Sequence, residues 1–72
     1  MRQNARMEIR LNGQHRTIDA GSSLSDLLHA EGLAERRVAI EVNGEIVPRG
    51  LHASRRLQAG DQVEIVHALG GG

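Results

Sequence analysis

Three glycines, Gly70, Gly71 and Gly72, end the sequence and follow directly on a stretch rich in aliphatic residues. Glycine has no Cβ, so a backbone made of glycine can approach a ligand or enter another protein's active site closely. A carboxylate alone is a poor acyl donor, but joining it to AMP supplies a good leaving group, and a sulfur nucleophile can then displace the nucleotide to leave a thiocarboxylate. The pattern therefore predicts a reactive carboxylate on Gly72, with Gly70 and Gly71 needed for its entry into a partner's active site.

The rest of the chain offers no means of activating that carboxylate. It contains no Cys and no phosphate-binding GxxxxGK[ST] motif. ATP, Mg²⁺ and the sulfur must therefore come through a partner, so we expect a carrier and not an enzyme, with no cofactor bound to the chain itself. The alternative is an inert, frayed end, since glycine is common wherever order is unnecessary.

No other group of side chains predicts a catalytic or metal site. Ser25, Asp26 and His29 fall within one helical turn, but a catalytic triad also needs an oxyanion hole and a substrate cleft, which so small a domain hardly offers. The histidines form no i, i+4 pair and have no Cys companion, so we expect solvated side chains and not metal ligands. They are His15, His29, His52 and His67.

Composition excludes several classes of partner. The 72 residues suffice for one domain with a thin core. Aromatic residues, on which nucleic acid bases stack, are absent, and nine basic residues balance nine acidic ones, so we expect no nucleic acid partner. No apolar run has the length of a membrane span and the N-terminus lacks the apolar segment of a signal peptide, so we expect a cytoplasmic protein that binds no membrane.

Local patterns predict two hairpins, one helix and a last strand. Asn12-Gly13 and Asn43-Gly44 suit the positive φ angles of type I′ turns, Ser23 and Asp26 form a capping-box pattern, and Gly32 is placed to end the helix. Between Pro48 and the last strand, we expect a short helical turn and a covering loop, anchored by Leu51 and Leu57. The predicted strands are 7–11, 14–19, 38–42, 45–47 and 62–68, and the helical stripe is Leu24, Leu27 and Leu28.

This order of elements predicts an α+β fold of the β-grasp (ubiquitin-like) type. A mixed sheet of four or five strands carries the helix across one face, and the first and last strands lie parallel at its centre. We expect a disordered N-terminal extension (1–6), the β-grasp domain (7–68) and a flexible reactive tail (69–72). With Val63 and Ile65 facing the helix, an apolar spot for partner docking is predicted at the base of the tail, formed by Val66, Ala68 and Leu69.

Residues 7–72 resemble the ThiS family of sulfur carriers, which supply sulfur for the thiazole ring of thiamine. The most specific parts are Val42-Asn43-Gly44-Glu45-Ile46-Val47-Pro48-Arg49 and the terminal Gly71-Gly72, supported by 7–13, 23–28 and 57–65. The resemblance implies that a ThiF-like adenylyltransferase, an E1-like enzyme, acts on Gly72. It also implies that a sulfur donor such as a cysteine desulfurase delivers the sulfur and that a ThiG-like thiazole synthase receives it. The chain departs from the family pattern in its six residues before Met7 and in the third glycine, Gly70.

Two other functions share the same terminal chemistry. A MoaD-type carrier would pass the sulfur to molybdopterin synthesis, and a ubiquitin-like protein modifier would pass its activated end to lysines of target proteins. Length and the segment 43–49 favour the ThiS-type carrier. An interaction module with an inert tail is the remaining alternative.

Overall fold

Residues 5 to 67 of the chain are described by a computed structural model. Their elements follow the predicted order of hairpin, helix, hairpin, connection and last strand. In chain order they are β1 (Arg6–Leu11), β2 (Gln14–Asp19), α1 (Leu24–Ala30), β3 (Val38–Val42), β4 (Glu45–Val47), a 3-10 turn (Arg49–Leu51) and β5 (Gln62–His67).

Both hairpins close through their Asn-Gly dipeptides. Asn12 and Gly13 have φ angles of 51° and 82°, and Asn43 and Gly44 have 54° and 87°. Positive φ at both central positions is the mark of the type I′ turn, whose twist matches that of the strands it joins. The two hairpins are therefore confirmed as predicted, and β1 begins at Arg6, one residue before the predicted start of the domain.

The five strands form one mixed sheet in the order β2-β1-β5-β3-β4. β5 lies in the middle, parallel to β1 on one side and antiparallel to β3 on the other. The parallel pairing of first and last strands at the sheet centre is confirmed. The strand that precedes the glycines is thus the one that the rest of the sheet surrounds.

The helix α1 is fixed at both ends. The Ser23 hydroxyl accepts a hydrogen bond of 3.0 Å from the backbone N–H of Asp26, whose carboxylate accepts one of 2.9 Å from the N–H of Ser23. This bond from the Ser23 backbone holds the pKa of the Asp26 carboxyl below its ordinary value. At the other end the N–H of Leu33 reaches the Leu28 carbonyl at 2.7 Å beside Gly32 (φ 74°), the pattern of a Schellman motif.

The core fills the space between α1 and the inner face of the sheet. Ile18, predicted to face inward, is half-buried against it. Leu51, predicted as an anchor, is instead 52% exposed, and His52, predicted to be solvated, is 6% exposed. The 3-10 turn directs the side chain of His52 inward. The ring Nε2 of His52 lies 3.0 Å from the carbonyl oxygen of Val47, and this contact gives the buried imidazole a hydrogen-bond partner. The buried apolar residues are Ile9, Leu11, Leu24, Leu27, Leu28, Ile40, Val42, Val47, Leu57, Val63 and Ile65.

Within residues 5 to 67, no helix has the length and apolar character needed to cross a lipid bilayer.

Candidate functional site at the end of the last strand

The predicted reactive residues lie outside the described part of the chain. Gly70, Gly71 and Gly72, and the predicted docking residues Ala68 and Leu69, follow His67, the last residue described. Their roles therefore remain predictions. The structure describes the strand that leads to them, β5, and the surfaces on either side of its end.

β5 is held in register along both edges. On the β1 side the N–H of Arg10 donates to the Asp61 carbonyl at 2.9 Å. On the β3 side the pairing runs without a break from Val42 opposite Val63 to Val38 opposite His67. A strand hydrogen-bonded on both sides is among the last parts of a fold to open, so the first half of β5 is a rigid support. Its end, Val66 and His67, is held by the pairing with β3.

Two side chains that the sequence prediction used only as turn residues also bind β5. The Oδ1 atom of Asn43 accepts a hydrogen bond of 2.9 Å from the N–H of Gln62, at the start of the strand. The Oδ1 atom of Asn12 accepts one of 2.9 Å from the N–H of Ile65, near its end. Asn-Gly predicts a turn in any hairpin, and nothing local to the dipeptide signals a partner 53 residues away, so these contacts were missed.

The start of β5 is anchored further by Asp61, which is 8% exposed. One carboxylate oxygen accepts a hydrogen bond of 3.0 Å from the Asn43 side-chain amide. The other accepts one of 2.8 Å from the N–H of Gln58. Both oxygens of this buried carboxylate are therefore satisfied, as a buried charge requires. The Gly60-Asp61 turn thus delivers the chain into β5 in a single register.

The open face of the sheet, the side away from α1, carries the predicted docking residue that the structure describes. Val66 is 60% exposed and lies opposite Ala39 of β3. On the same face Glu64 lies directly opposite Glu41, and Ile46 of β4, 68% exposed, lies opposite Glu41 on its other side. The outward orientation predicted for Val66 is confirmed. Val66 and Ala39 form a small apolar area bordered by two carboxylates.

A shallow groove of about 250 Å³ lies on the other side of the sheet, beside the end of β5. Leu11, Leu33 and Ile65 are its apolar lining residues, and His67 also lines it. An ion pair between Arg16 and Glu31, with 2.5 Å between Nη1 and Oε2, borders it and ties β2 to the end of α1. The end of β5 therefore has a largely exposed apolar area on one face and a groove on the other.

The remaining candidate groups show no catalytic arrangement in the described residues. The Asp26 carboxylate accepts its hydrogen bond from the Ser23 backbone at the helix cap, and it makes no hydrogen bond to Ser25 or His29. Residues 5 to 67 contain no group of three or more His, Asp or Glu side chains placed to hold a metal ion.

Comparison with known proteins gives one consistent family. The model of the ThiS family matches residues 9–72. A thiazole synthase of Magnetococcus marinus is 44% identical to this chain over 66 residues, and a thiazole synthase of Paramagnetospirillum magneticum is 39% identical. Each match covers 92% of this chain but only 20% of the relative. The chain therefore spans one fifth of the length of these two relatives. The sulfur carrier protein ThiS of Escherichia coli is 32% identical over 92% of this chain and 100% of its own.

A solved structure agrees with these sequence matches. The crystal structure of the thiamine biosynthesis protein ThiS from Geobacter metallireducens superposes with a TM-score of 0.79 at 32% identity. The superposition covers 92% of this chain and 100% of that one. The two proteins thus share both sequence and fold over nearly the whole of this chain. The predicted β-grasp fold is confirmed.

Proposed function

Because the chain belongs to the ThiS family, we propose that it is a sulfur carrier for thiamine biosynthesis and that Gly72 carries the sulfur as a thiocarboxylate. The observation that carries the proposal is the family match, which extends from residue 9 to residue 72 and so includes the three glycines. A free carboxylate on Gly72 is a requirement of this proposal.

The chemistry proceeds in two transfers. A carboxylate oxygen of Gly72 attacks the α-phosphorus of ATP, pyrophosphate leaves, and an acyl-adenylate forms. A sulfur nucleophile from the donor then attacks the acyl carbon and AMP leaves. Sulfide gives the thiocarboxylate directly, whereas a cysteine persulfide gives an acyl disulfide. A thiol of a partner protein then attacks the donor's cysteine sulfur, which releases the thiocarboxylate and leaves a disulfide between that thiol and the donor. A ThiF-like adenylyltransferase provides ATP and Mg²⁺ for the first transfer, and a donor such as a cysteine desulfurase provides the sulfur.

The chain's own contribution is presentation of the reacting end. The proposal assigns the base and the metal to the partners, so binding and orientation are what the chain adds to the rate. The central position of β5 supports this role, because the tail then follows a strand that has a hydrogen-bonded neighbour on each side. Gly70 and Gly71 lack the side chains that would obstruct a narrow entry to the partner's active site.

Docking to the partner is assigned to the open face near the end of β5. Val66 is exposed, lies beside Ala39, and precedes the proposed docking residues Ala68 and Leu69 by two and three positions. An apolar area of this kind contributes to association by leaving water. The neighbouring Glu41 and Glu64 fit a partner surface that presents a cation to them.

The thiazole synthase relatives favour the thiamine pathway over molybdopterin synthesis. Two proteins of that name contain a segment similar to this chain. We therefore propose a ThiG-like thiazole synthase as the acceptor of the sulfur. The localisation that follows from this role is the cytoplasm.

Intact-mass analysis tests the proposal directly. The full chain is incubated with ATP, Mg²⁺, a sulfide source and a ThiF-like enzyme, and then weighed. We expect a gain equal to the mass difference between sulfur and oxygen, placed on Gly72 by fragmentation, and none when ATP is omitted. A protein modifier would instead appear as isopeptide conjugates. An unchanged mass with an adenylyltransferase that loads another ThiS protein would refute the proposal.

A further inference from the structure

We propose that Asn12 is a positioning residue for sulfur loading, because its side chain fixes the end of β5 and with it the direction in which the tail leaves the domain. The role in sulfur loading that we assign to Asn12 rests on the proposed function. The structural part, that Asn12 restrains the end of β5, can be measured without it.

The geometry starts where β1 and β5 separate. The parallel pairing ends at Leu11 opposite Val63, because the chain turns at Asn12 into the first hairpin. Asn12 then makes two hydrogen bonds to β5: its N–H donates to the Val63 carbonyl at 2.8 Å, and its Oδ1 accepts from the N–H of Ile65 at 2.9 Å. The side-chain oxygen takes the place of the carbonyl that a longer β1 would offer. We call this pair of bonds the Asn12 clamp.

The clamp acts at the place where β5 loses a neighbour. Beyond Ile65, the described pairing of β5 is with β3, from Ala39 opposite Val66 to Val38 opposite His67. The bond to Ile65 therefore extends support on the β1 side two residues past the end of the strand ladder. Ile65 is seven positions before Gly72 in the sequence. A change of strand direction at this point shifts His67, the last described residue before the tail, relative to β1 and the body of the domain.

The turn by itself does not require this side chain. With φ at 51°, position 12 would also accept glycine, which suits a type I′ turn as well as asparagine does. Compared with glycine, asparagine adds a side-chain oxygen that accepts the hydrogen bond from the Ile65 N–H. Aspartate also has an acceptor oxygen at this position and also tolerates a positive φ. Glycine and aspartate at position 12 therefore separate the turn from the clamp.

Asn43 provides a matched control within the same chain. It occupies the same position of the other Asn-Gly turn, with φ at 54°, and its Oδ1 also accepts a hydrogen bond of 2.9 Å from a β5 amide. That amide belongs to Gln62, at the start of the strand. The side-chain amide of Asn43 also donates to Asp61 at 3.0 Å, so Asn43→Gly removes one more hydrogen bond than Asn12→Gly does and is the more severe change. Removing the Asn43 side chain should loosen the entry of β5 and leave its exit unchanged.

The experiment compares Asn12→Gly, Asn12→Asp and Asn43→Gly in the full chain by amide hydrogen exchange. We expect the Ile65 amide to exchange about tenfold faster in Asn12→Gly, because a part-buried N–H loses its acceptor, and to recover most of its protection in Asn12→Asp. In Asn43→Gly the faster amide should be Gln62 and not Ile65. An unchanged Ile65 amide in Asn12→Gly would refute the clamp.

Steady-state adenylation by a ThiF-like enzyme then tests the positioning role. In Asn12→Gly we expect kcat to fall about three- to tenfold with KM within twofold, since the docking face is kept and only placement of the reacting end suffers. Asn12→Asp should restore kcat, and Asn43→Gly should retain it. Equal losses in Asn12→Gly and Asn43→Gly, or a rise in KM alone, would contradict the positioning role. Failure of the wild-type chain to be adenylated would refute the proposed function, and with it that role, while the exchange result still decides the clamp.

Discussion

Replacing Val66 by Asp tests whether the open face at the end of β5 is the docking surface. The side chain is 60% exposed, and fully burying a Val contributes about 1.5–3 kcal/mol, so covering its exposed part is worth about 1–2 kcal/mol to binding. An aspartate at this place would also enter the interface as an unpaired charge, which costs several kcal/mol more. We expect partner affinity to fall by at least about thirtyfold, the equivalent of about 2 kcal/mol.

The fold should tolerate this change. Strand geometry puts position 66 about 7 to 8 Å from Glu64 and Glu41 on the same face. At that separation each carboxylate repels the new one by about 0.5 kcal/mol in water, and by less in physiological salt. The lower β-propensity of Asp adds up to about 1 kcal/mol. The total is a modest part of the stability of a small domain, so the variant should remain folded at room temperature.

Isothermal titration of the full chain with a ThiF-like enzyme measures the affinity, and Ile46→Asp is the matched control. Ile46 is 68% exposed on the same face, but strand spacing puts it about 12 Å from Val66, across β3. We expect Ile46→Asp to bind within about threefold of the wild type, as a position outside the contact would. Equal affinity of Val66→Asp and the wild type would refute the reasoning, and equal losses in both variants would show that the whole face, not the base of the tail, makes the contact.

Three further outcomes follow from the described contacts. Ser23→Ala removes the hydroxyl that caps α1 and should lower the free energy of unfolding by about 1 kcal/mol, read from urea denaturation. The hydrogen bond from the Ser23 backbone lowers the pKa of Asp26 from 3.8, so the stability that this carboxylate contributes is present above pH 3.8 and is lost as the pH falls through the lower pKa of the folded state. Asp26→Asn should abolish this part of the acid sensitivity, measured by denaturation at neutral and at acid pH. An unchanged pH profile in the variant would contradict this expectation. Replacing both Gly71 and Gly72 by Val should leave the melting temperature unchanged and reduce thiocarboxylate formation by about tenfold or more, measured by intact mass, whereas full loading would show that slenderness of the tail is not required.

The elements that the sequence predicts well are those determined by neighbouring residues. The turns at Asn12-Gly13 and Asn43-Gly44 and the cap formed by Ser23 and Asp26 each depend on residues within a few positions of one another. Once these are placed, the apolar faces of α1 and the strands leave few ways to pack. The order of the sheet follows from them and from the parallel pairing of its first and last strands.

The features that the sequence does not reveal depend on residues far apart in the chain or on which way each side chain of a short 3-10 turn points. The hydrogen bond between Asn12 and Ile65 joins residues 53 positions apart, and no local sequence pattern around either residue predicts it. Leu51 and His52 exchange their expected environments because one residue of rotation in the 3-10 turn decides which side chain points inward. Hydrophobicity favours Leu51 for the interior, whereas a carbonyl oxygen at the right place makes His52 acceptable there.

The location of β5 in the middle of the sheet has a consequence for synthesis of the protein on the ribosome. The two halves of the sheet, β1 with β2 and β3 with β4, meet only through this strand, which is the last of the described elements to be made. Pairings so distant in sequence form late in folding, after the cost of closing the long intervening loop has been met. A nascent chain that stops short of residue 67 therefore lacks the complete strand that joins its halves, and the two hairpins cannot yet form one sheet. Assembly of the sheet is in this way delayed until translation has passed its central strand.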